Sequence, residues 1–403
     1  MSSSNSVSVV YNKEAEYGKR IEPSAGTVMN TCRFTSESLS GTPTTTESTE
    51  IRQDRLSAGQ VATGLEVGGA VFFEVARDVF HDDFLSGAMM SNWVAAETQN
   101  TSIDLVPDGV DEQKAVLTLG TDFANLIPGT LVQLDDGNGG TTTVMITTVD
   151  TPSTVFTVAT FRGQAAISTT GDVSLPQHID IDSKTISFLI GKSYEDVLHL
   201  ATQDQHSQTY TGELVSGFTI DATYGEIANG SYTLAGNGYT QEAPSYQQQV
   251  VTAGGTVNPA GTSTPVNASI DAFVWVDDVA SDFCIQSLSL TLDNGLEEVT
   301  CIGVAAPTSY TLGTAAVSAS LTVHNSDTAY DTFMANKMTQ VPVSVTFLLE
   351  NPTQGGYAFT IEALQVNFPD PSADGQNEQV TLDMEGVGKV GENGESSLRI
   401  WKL

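Results

Sequence analysis

Apolar and polar residues alternate along most of this chain in short runs, broken by turns rich in glycine and asparagine. In residues 286–293, Leu288, Leu290 and Leu292 fall on one side while Ser287, Ser289 and Thr291 fall on the other. That period of two is what a strand with one buried face requires, and it does not fit a helix. Gly137-Asn138, Asn229-Gly230 and Asn294-Gly295 separate such runs, and the last pair predicts a hairpin. The fold class that follows is mainly β. At 403 residues, 39% apolar, the chain is long enough to bury a sizeable core in more than one domain.

Charge then narrows the function. Fifteen Lys and Arg face 49 Asp and Glu, a formal −34, which excludes a protein that grips nucleic-acid phosphates with clustered cations. No apolar run approaches the roughly 20 residues that cross a bilayer as a helix. The Ser-rich stretch 1–10 has no basic segment followed by a hydrophobic block, so no signal peptide is expected. Cys32, Cys284 and Cys301 are too few and scattered for a disulfide framework or a zinc site, and are predicted to be buried thiols.

Helical patterns are few and share a setting of strand, polar link and short helix. The strand 71–75 leads into 76–88, where Phe80, Phe84 and Ala88 recur every four residues. The strand 185–190 leads into 193–201, with Ser193 as N-cap and Tyr194, Val197, Leu198 and Ala201 on one side. The strand 318–323 leads into 326–335, which would bury Tyr330, Phe333 and Met334. Duplication and convergence both account for this recurrence. Strand runs at 115–119, 130–134, 141–148 and 154–160, with a turn at Pro128-Gly129, suit a small inserted β domain over 101–175. It would interrupt a main domain made of 1–100, with a helical segment over 76–92, and 176–403. Two polar stretches, 40–60 and 236–268, read as long excursions.

Catalytic signatures are missing. There is no GxSxG, HExxH or Walker A run, and the five histidines lack metal-ligand spacing. Gly386-Val-Gly-Lys-Val-Gly391 matches GxGxxG but leaves no room for the helix and second strand of a dinucleotide site. His178, Asp180 and Asp182 share one strand face and read as a solvated strand end. Residues 135–140 lack the ligand spacing of a calcium loop and read as a hairpin turn. No enzyme, metal or cofactor is expected. The acids form a population instead: if a ring turned one polar strand face inward, Glu37, Glu47, Glu50, Asp54, Glu66, Glu74, Glu213 and Asp221 would make a negative bore.

The order of several segments resembles the tail tube (major tail) proteins of long-tailed, siphovirus-type bacteriophages. The most specific is Gly41-Thr-Pro-Thr-Thr-Thr-Glu47 within 34–55. Gly68-Gly-Ala-Val-Phe-Phe-Glu-Val-Ala-Arg-Asp-Val-Phe-His-Asp-Asp-Phe-Leu85, Lys184-Thr-Ile-Ser-Phe-Leu-Ile-Gly-Lys-Ser-Tyr-Glu-Asp-Val197, Leu292-Asp-Asn-Gly-Leu296 and Ile302-Gly303 follow in order, spanning about 20–370. The resemblance implies a β-sandwich protomer with flanking helices, hexameric rings whose inner strands join in one β-barrel, and stacking into a hollow conduit for DNA ejection. It implies that the excursion 40–60 reaches the neighbouring ring, through Thr42, Pro43, Thr44, Arg52, Asp54 and Arg55. The implied partners are copies of the chain, a tape-measure protein and tail terminator and initiator proteins. DNA would pass without specific binding. The protein would reside in the virion, without membrane contact, after assembly in the bacterial cytoplasm. The insertion 101–175 would decorate the outside; smaller members of the family lack it.

Two other classes compete. A β-sandwich adhesin or carbohydrate-binding protein would stack sugars on Tyr239, Tyr246 and Trp275. An acidic glycosidase would need a facing carboxylate pair. Its candidates, Asp277-Asp278 and Glu297-Glu298, are sequence neighbours that point to opposite faces of a strand.

Overall fold

The computed structural model describes residues 6–51, 53–54, 59–109, 113–121, 123, 126–150, 154–161, 165–198, 204–276, 284–324, 341–367, 370, 380–391 and 394–403. The chain opens with β1 (Val7–Lys13), β2 (Val28–Thr31), β3 (Ser36–Glu37), β4 (Ser40–Glu47), β5 (Gln60–Glu74) and α1 (Val79–Ala88). There follow β6 (Glu97–Pro107), β7 (Lys114–Leu119), β8 (Leu131–Asp135), β9 (Thr141–Val149), β10 (Val155–Thr160) and β11 (Ile167–Leu175). Next come β12 (Gln177–Asp180), β13 (Ser187–Leu198), β14 (Gln205–Thr223), β15 (Asn229–Gly236), β16 (Gly238–Glu242), α2 (Tyr246–Thr252) and β17 (Thr256–Asn258). The described elements end with β18 (Ala272–Val276), β19 (Ile285–Asp293), β20 (Glu297–Val299), β21 (Ser309–Thr311), β22 (Ala316–His324), β23 (Val343–Asn351), β24 (Gly355–Asn367), β25 (Thr381–Gly388) and β26 (Arg399–Lys402).

The mainly β expectation holds. Strands β6 to β11 close into a six-stranded barrel, and eighteen others form one continuous hydrogen-bonded system. Within that system the pairing registers repeat. β15 pairs with β5 from Asn229↔Glu74 to Gly236↔Val67, and β25 pairs with β22 from Thr381↔His324 to Gly388↔Val317, eight consecutive pairs in each case. Opposite Phe188 and Ile190 of β13, the partner β14 skips from Glu213 to Tyr210; opposite Val343 and Val345 of β23, β24 skips from Leu364 to Ile361. The β1–β13 ladder (Val7↔Tyr194, Tyr11↔Ile190) has its counterpart in β18–β23 (Ala272↔Leu349, Val276↔Val345). Ser207↔Glu242 of β14–β16 corresponds to Ala358↔Trp401 of β24–β26. Ser40↔Gly68 of β4–β5 corresponds to Thr291↔Ser318 of β19–β22, and farther along the arm Glu47↔Gln60 corresponds to Glu298↔Tyr310 of β20–β21. The chain thus contains two copies of one β unit, joined where β14 pairs with β19.

Each copy buries the apolar side of its strands in a common core with α1. Asp78 caps that helix, accepting from the Phe80 and Gly261 N–H groups, and Phe80 and Phe84 enter an aromatic cluster with Tyr11, Phe73, Phe188 and Tyr232. Replacing Asp78 by Ala should cost about 1 kcal/mol, the usual loss for an N-cap, readable as a lower denaturation midpoint with an unchanged slope. The far side of the outer strands is covered differently in the two copies. In the first, Tyr246 and Val250 of α2 lie on Val10 and Leu189. In the second, the barrel packs on Trp275, Leu348, Ala358 and Trp401.

Several local expectations are corrected. Residues 193–198 are strand, not helix: Ser193 is paired on both edges, with Ser8 and with Ser207, and two ladders outweigh a local cap pattern. Residues 199–201 and the expected helix 326–335 lie outside the described residues. The excursion 236–268 contains β16, α2 capped by Ser245, and β17. Asn294-Gly295 turns the chain out into the β20–β21 arm and closes no hairpin, because both edges of β19 are already taken by β14 and β22. Asn229-Gly230 is paired inside β15; the turn before it uses Gly225, at φ 89°. Of the three cysteines only Cys32 is buried; Cys284 and Cys301 are exposed.

Candidate channel-lining face

One broad strand face is both polar and open. It runs from β3 and β4 through β5, β15, the second half of β14, β19, β22 and β25 to the end of β24. Period-two alternation fixes its chemistry: Leu288, Leu290 and Leu292 are buried, as are Leu321 and Val323 of β22 and Leu382 and Met384 of β25. Their neighbours turn the other way and are small hydroxyl or acidic side chains. Thr219 and Thr291 bring their hydroxyls to 3.3 Å across the β14–β19 joint, and Thr322 donates to Asp383 at 2.8 Å. Asp221 is opposite Ser289, and Glu385 opposite Ser320. Glu74, Asp293 and Asp383 complete the acids. Phe72 and Val387 are exposed apolar exceptions. No Lys or Arg occurs in any strand of this face.

Several of the cations are held elsewhere by carboxylates. Lys13 pairs with Asp83, Arg20 with Glu242, Arg77 and Lys402 with Asp82, Lys192 with Glu37, and Arg399 with Asp180. The described strands of the open face thus carry acids and no cation, although both signs occur in the chain.

The acids singled out in the sequence separate into distinct environments. Asp221 belongs to the open face. Glu37 turns away from it, 2.6 Å from the Lys192 ammonium. Glu47 and Glu50 are exposed on the β4–β5 arm. Glu66, at the root of that arm, is exposed and lines with Glu298 a cleft of about 500 Å³ between the β4–β5 and β20–β21 arms. Glu213 faces no solvent: it is completely buried, and neither carboxylate oxygen has a hydrogen-bond partner. Burial first, and the nearby Glu14 charge second, push its carboxyl up to about 8. Thr42, Pro43, Thr44 and Asp54 are exposed on the arm, while Arg52 and Arg55 lie outside the described residues. Glu74, also among the acids of the sequence reading, belongs to the open face, but that reading missed Asp293, Asp383 and Glu385. Their signal was available, since Leu382, Met384 and Gly386 alternate with Asp383, Glu385 and Val387 as clearly as the leucines of β19 do.

The other motifs have structural employment. His178 lies against the Trp401 ring and Asp180 takes a bidentate pair from Arg399. Among the described residues no cluster of three or more His, Cys, Asp or Glu is placed to hold a metal. The Asp136 carboxylate accepts from the Asn138 and Gly140 N–H groups in the β8–β9 turn, which holds its carboxyl below the usual range. Gly386 is ladder-paired with both Ala319 and Val366. Tyr246 and Trp275 are buried, and Tyr239 packs on Tyr210, so these three do not form a sugar-stacking platform. Glu297 and Glu298 face Thr311 and Tyr310 across β20–β21; Asp277 and Asp278 lie outside the described residues.

A paired β unit with projecting strand arms and a wide polar face of one charge sign defines a structural, assembly-forming β protein. The chain belongs to the phage tail tube protein family, whose model matches residues 4–388. Comparison with curated proteins finds no match. Family membership makes its role structural, in the tail tube of a virion, with self-assembly and other tail components as its associations. No helix among the described residues is long and apolar enough to cross a membrane.

Proposed function

We propose that the chain assembles side by side into rings that turn the open hydroxyl and acidic face inward, and that stacked rings form a hollow conduit for DNA ejection. The observation that carries this reading is the absence of Lys and Arg from every strand of that face. A DNA-binding groove needs cations that release counterions from phosphates. A conduit needs the reverse, and carboxylates spaced among short hydroxyls repel the duplex while offering it nothing to grip. Ring closure would also remove strand edges from solvent. The β4–β5 arm, with Thr42, Pro43 and Thr44, would reach the adjacent ring, and the barrel formed by β6 to β11 would lie on the outer wall. Tape-measure and tail terminator or initiator proteins would meet the two tube ends, with assembly in the host cytoplasm.

Negative-stain electron microscopy of the purified protein over a salt series tests this. Hollow tubes are expected once salt screens the −34 charge of each chain. Replacing residues 48–59 by a two-residue Asn-Gly turn should leave rings but abolish tubes. Tubes of wild-type length from that variant would remove the arm from the ring-to-ring contact, and a monomer under every condition would count against the conduit.

A further inference from the structure

The joint between the two copies carries different features at its two ends. β14 and β19 pair from Gly217↔Asp293 to Thr223↔Ser287. Beyond Asp293 the chain enters the β20–β21 arm. Beyond Thr223 it turns toward β15, and Tyr224 is held at that turn by its N–H to the Gln286 carbonyl, at the start of β19. Arm and turn therefore leave opposite poles of one ladder, about 20 Å apart at the rise of a strand. Soluble proteins commonly scatter exposed apolar side chains singly, whereas here they gather at both poles. On the arm Ile302 is fully exposed and Val304 half-exposed. The first arm repeats the feature: Ile51 follows Glu47 by four residues as Ile302 follows Glu298, and it too is fully exposed. The β20–β21 arm is also braced. The Leu65 N–H donates to the Ala305 carbonyl at 2.7 Å, the Thr308 N–H and hydroxyl both donate to the Val299 carbonyl, and the Tyr310 hydroxyl donates to the Gly236 carbonyl at 2.9 Å. Ile302 is thus presented to solvent on a held loop, which lowers the ordering cost of a contact.

The other pole offers a matching seat. Tyr224 is 73% exposed, Ile270 67% and Ile227 45%. The two loops that carry them are tied together: the Gly225 N–H donates to the Ser269 hydroxyl at 2.7 Å, the Ala268 N–H donates to the Glu226 carbonyl at 3.1 Å, and Ile227 is bridged to Asn267. Beside them opens a cavity of about 200 Å³ whose walls include Ala222, Tyr224, Ala268, Ile285 and Leu288. An apolar cavity of about 150 Å³ accepts a ring the size of benzene, so this one admits an aliphatic side chain.

We propose that the seat formed by Tyr224, Ile227 and Ile270 receives the β20–β21 arm of a second copy of this chain, stacked along the strand direction, with Ile302 entering the cavity. This rests on the conduit reading above and adds to it a second ring-to-ring contact, separate from the β4–β5 arm. Arm and seat lie at the two ends of the same strand pair, so a copy displaced along those strands brings its arm over the seat of the next. A contact between unlike ends of one molecule is head-to-tail and continues without closing, which is what stacking requires. An apolar contact also needs no cation, and so it suits a chain of −34 formal charge.

Hydroxyl-radical footprinting of the unmodified protein tests it first. Tyr224 and Ile302 should be labelled in unassembled protein at low salt and should lose that labelling in tubes. Ile302→Asp should then raise the protein concentration needed for tubes at least about tenfold, since burial of an isoleucine favours association by that factor or more, while Ile302→Leu should assemble as wild type does. Ile302 is exposed, so an unchanged melting temperature should accompany both substitutions. Tyr224 labelled equally in tubes, Tyr224 already protected before assembly by another part of its own chain, or tubes from Ile302→Asp at the wild-type concentration would each overturn the proposal and leave the conduit standing. Failure of the wild-type protein to form tubes under any condition would overturn the conduit reading instead.

Discussion

Phage carrying Asp221→Lys, Asp383→Lys and Glu385→Lys together should assemble tails of normal length yet lose infectivity by about two orders of magnitude or more. The three side chains belong to β14 and β25, on the open side of strands whose other side is core. The substitutions therefore change the sign of the wall without removing a packed group, although Asp383 gives up its bond from Thr322. Each ring would gain several lysines, and stacked rings would repeat them along the tube. A protein making 6–10 phosphate contacts changes its DNA affinity by roughly 10³–10⁵ between 50 and 200 mM salt. Variant tubes should accordingly retain duplex DNA at low salt and release it as salt rises, while wild-type tubes retain none. Normal titre from a virion shown to contain the triple variant would mean that this face does not line the DNA path.

The parts of the fold that were legible are those where one local rule acts alone. In β19, β22 and β25 every second residue is buried, and the polar ones between them announce the open face. The rule fails where β14 passes from one set of partners to another: Gly212, Glu213, Leu214 and Val215 are all buried in succession, beside the irregular step from Glu213 to Tyr210. An acid at such a crossing looks like a surface acid to any period-two argument, and so Glu213 was assigned to the bore. Tyr194 failed in the opposite direction. Its neighbourhood carries helix-cap chemistry, but strands on both edges supply more hydrogen bonds than one short helix would. The duplication was hidden for a third reason. What the copies share is register, not residues, and pairing between strands far apart in the chain leaves little trace in a single sequence. The first and third strand-and-helix settings do begin on equivalent strands, β5 and β22, whereas the middle one begins on β13.

Glu213→Leu should stabilise the protein, and the second copy supplies the reason. At the same irregular step the counterpart of Glu213 is Leu364, fully buried and matched to its surroundings. Glu213 has burial without hydrogen bonds. Its carboxyl titrates near 8 when folded, against 4.5 as the ordinary value. Between those two values the folded chain keeps a proton that the unfolded chain has released, so the contribution of Glu213 to stability is greatest below about 4.5 and declines as pH rises toward 8. At about 1.4 kcal/mol per pH unit the decline reaches ~5 kcal/mol over the window. Leucine has no proton to lose. The variant should therefore match or exceed wild type at pH 4.5 and melt about 5 °C higher at pH 8. Glu213→Gln separates charge from packing, since it should flatten the pH slope while still leaving a buried polar group without partners. If the Gln variant keeps the wild-type slope, Glu213 is not the group that makes this protein less stable in mild alkali.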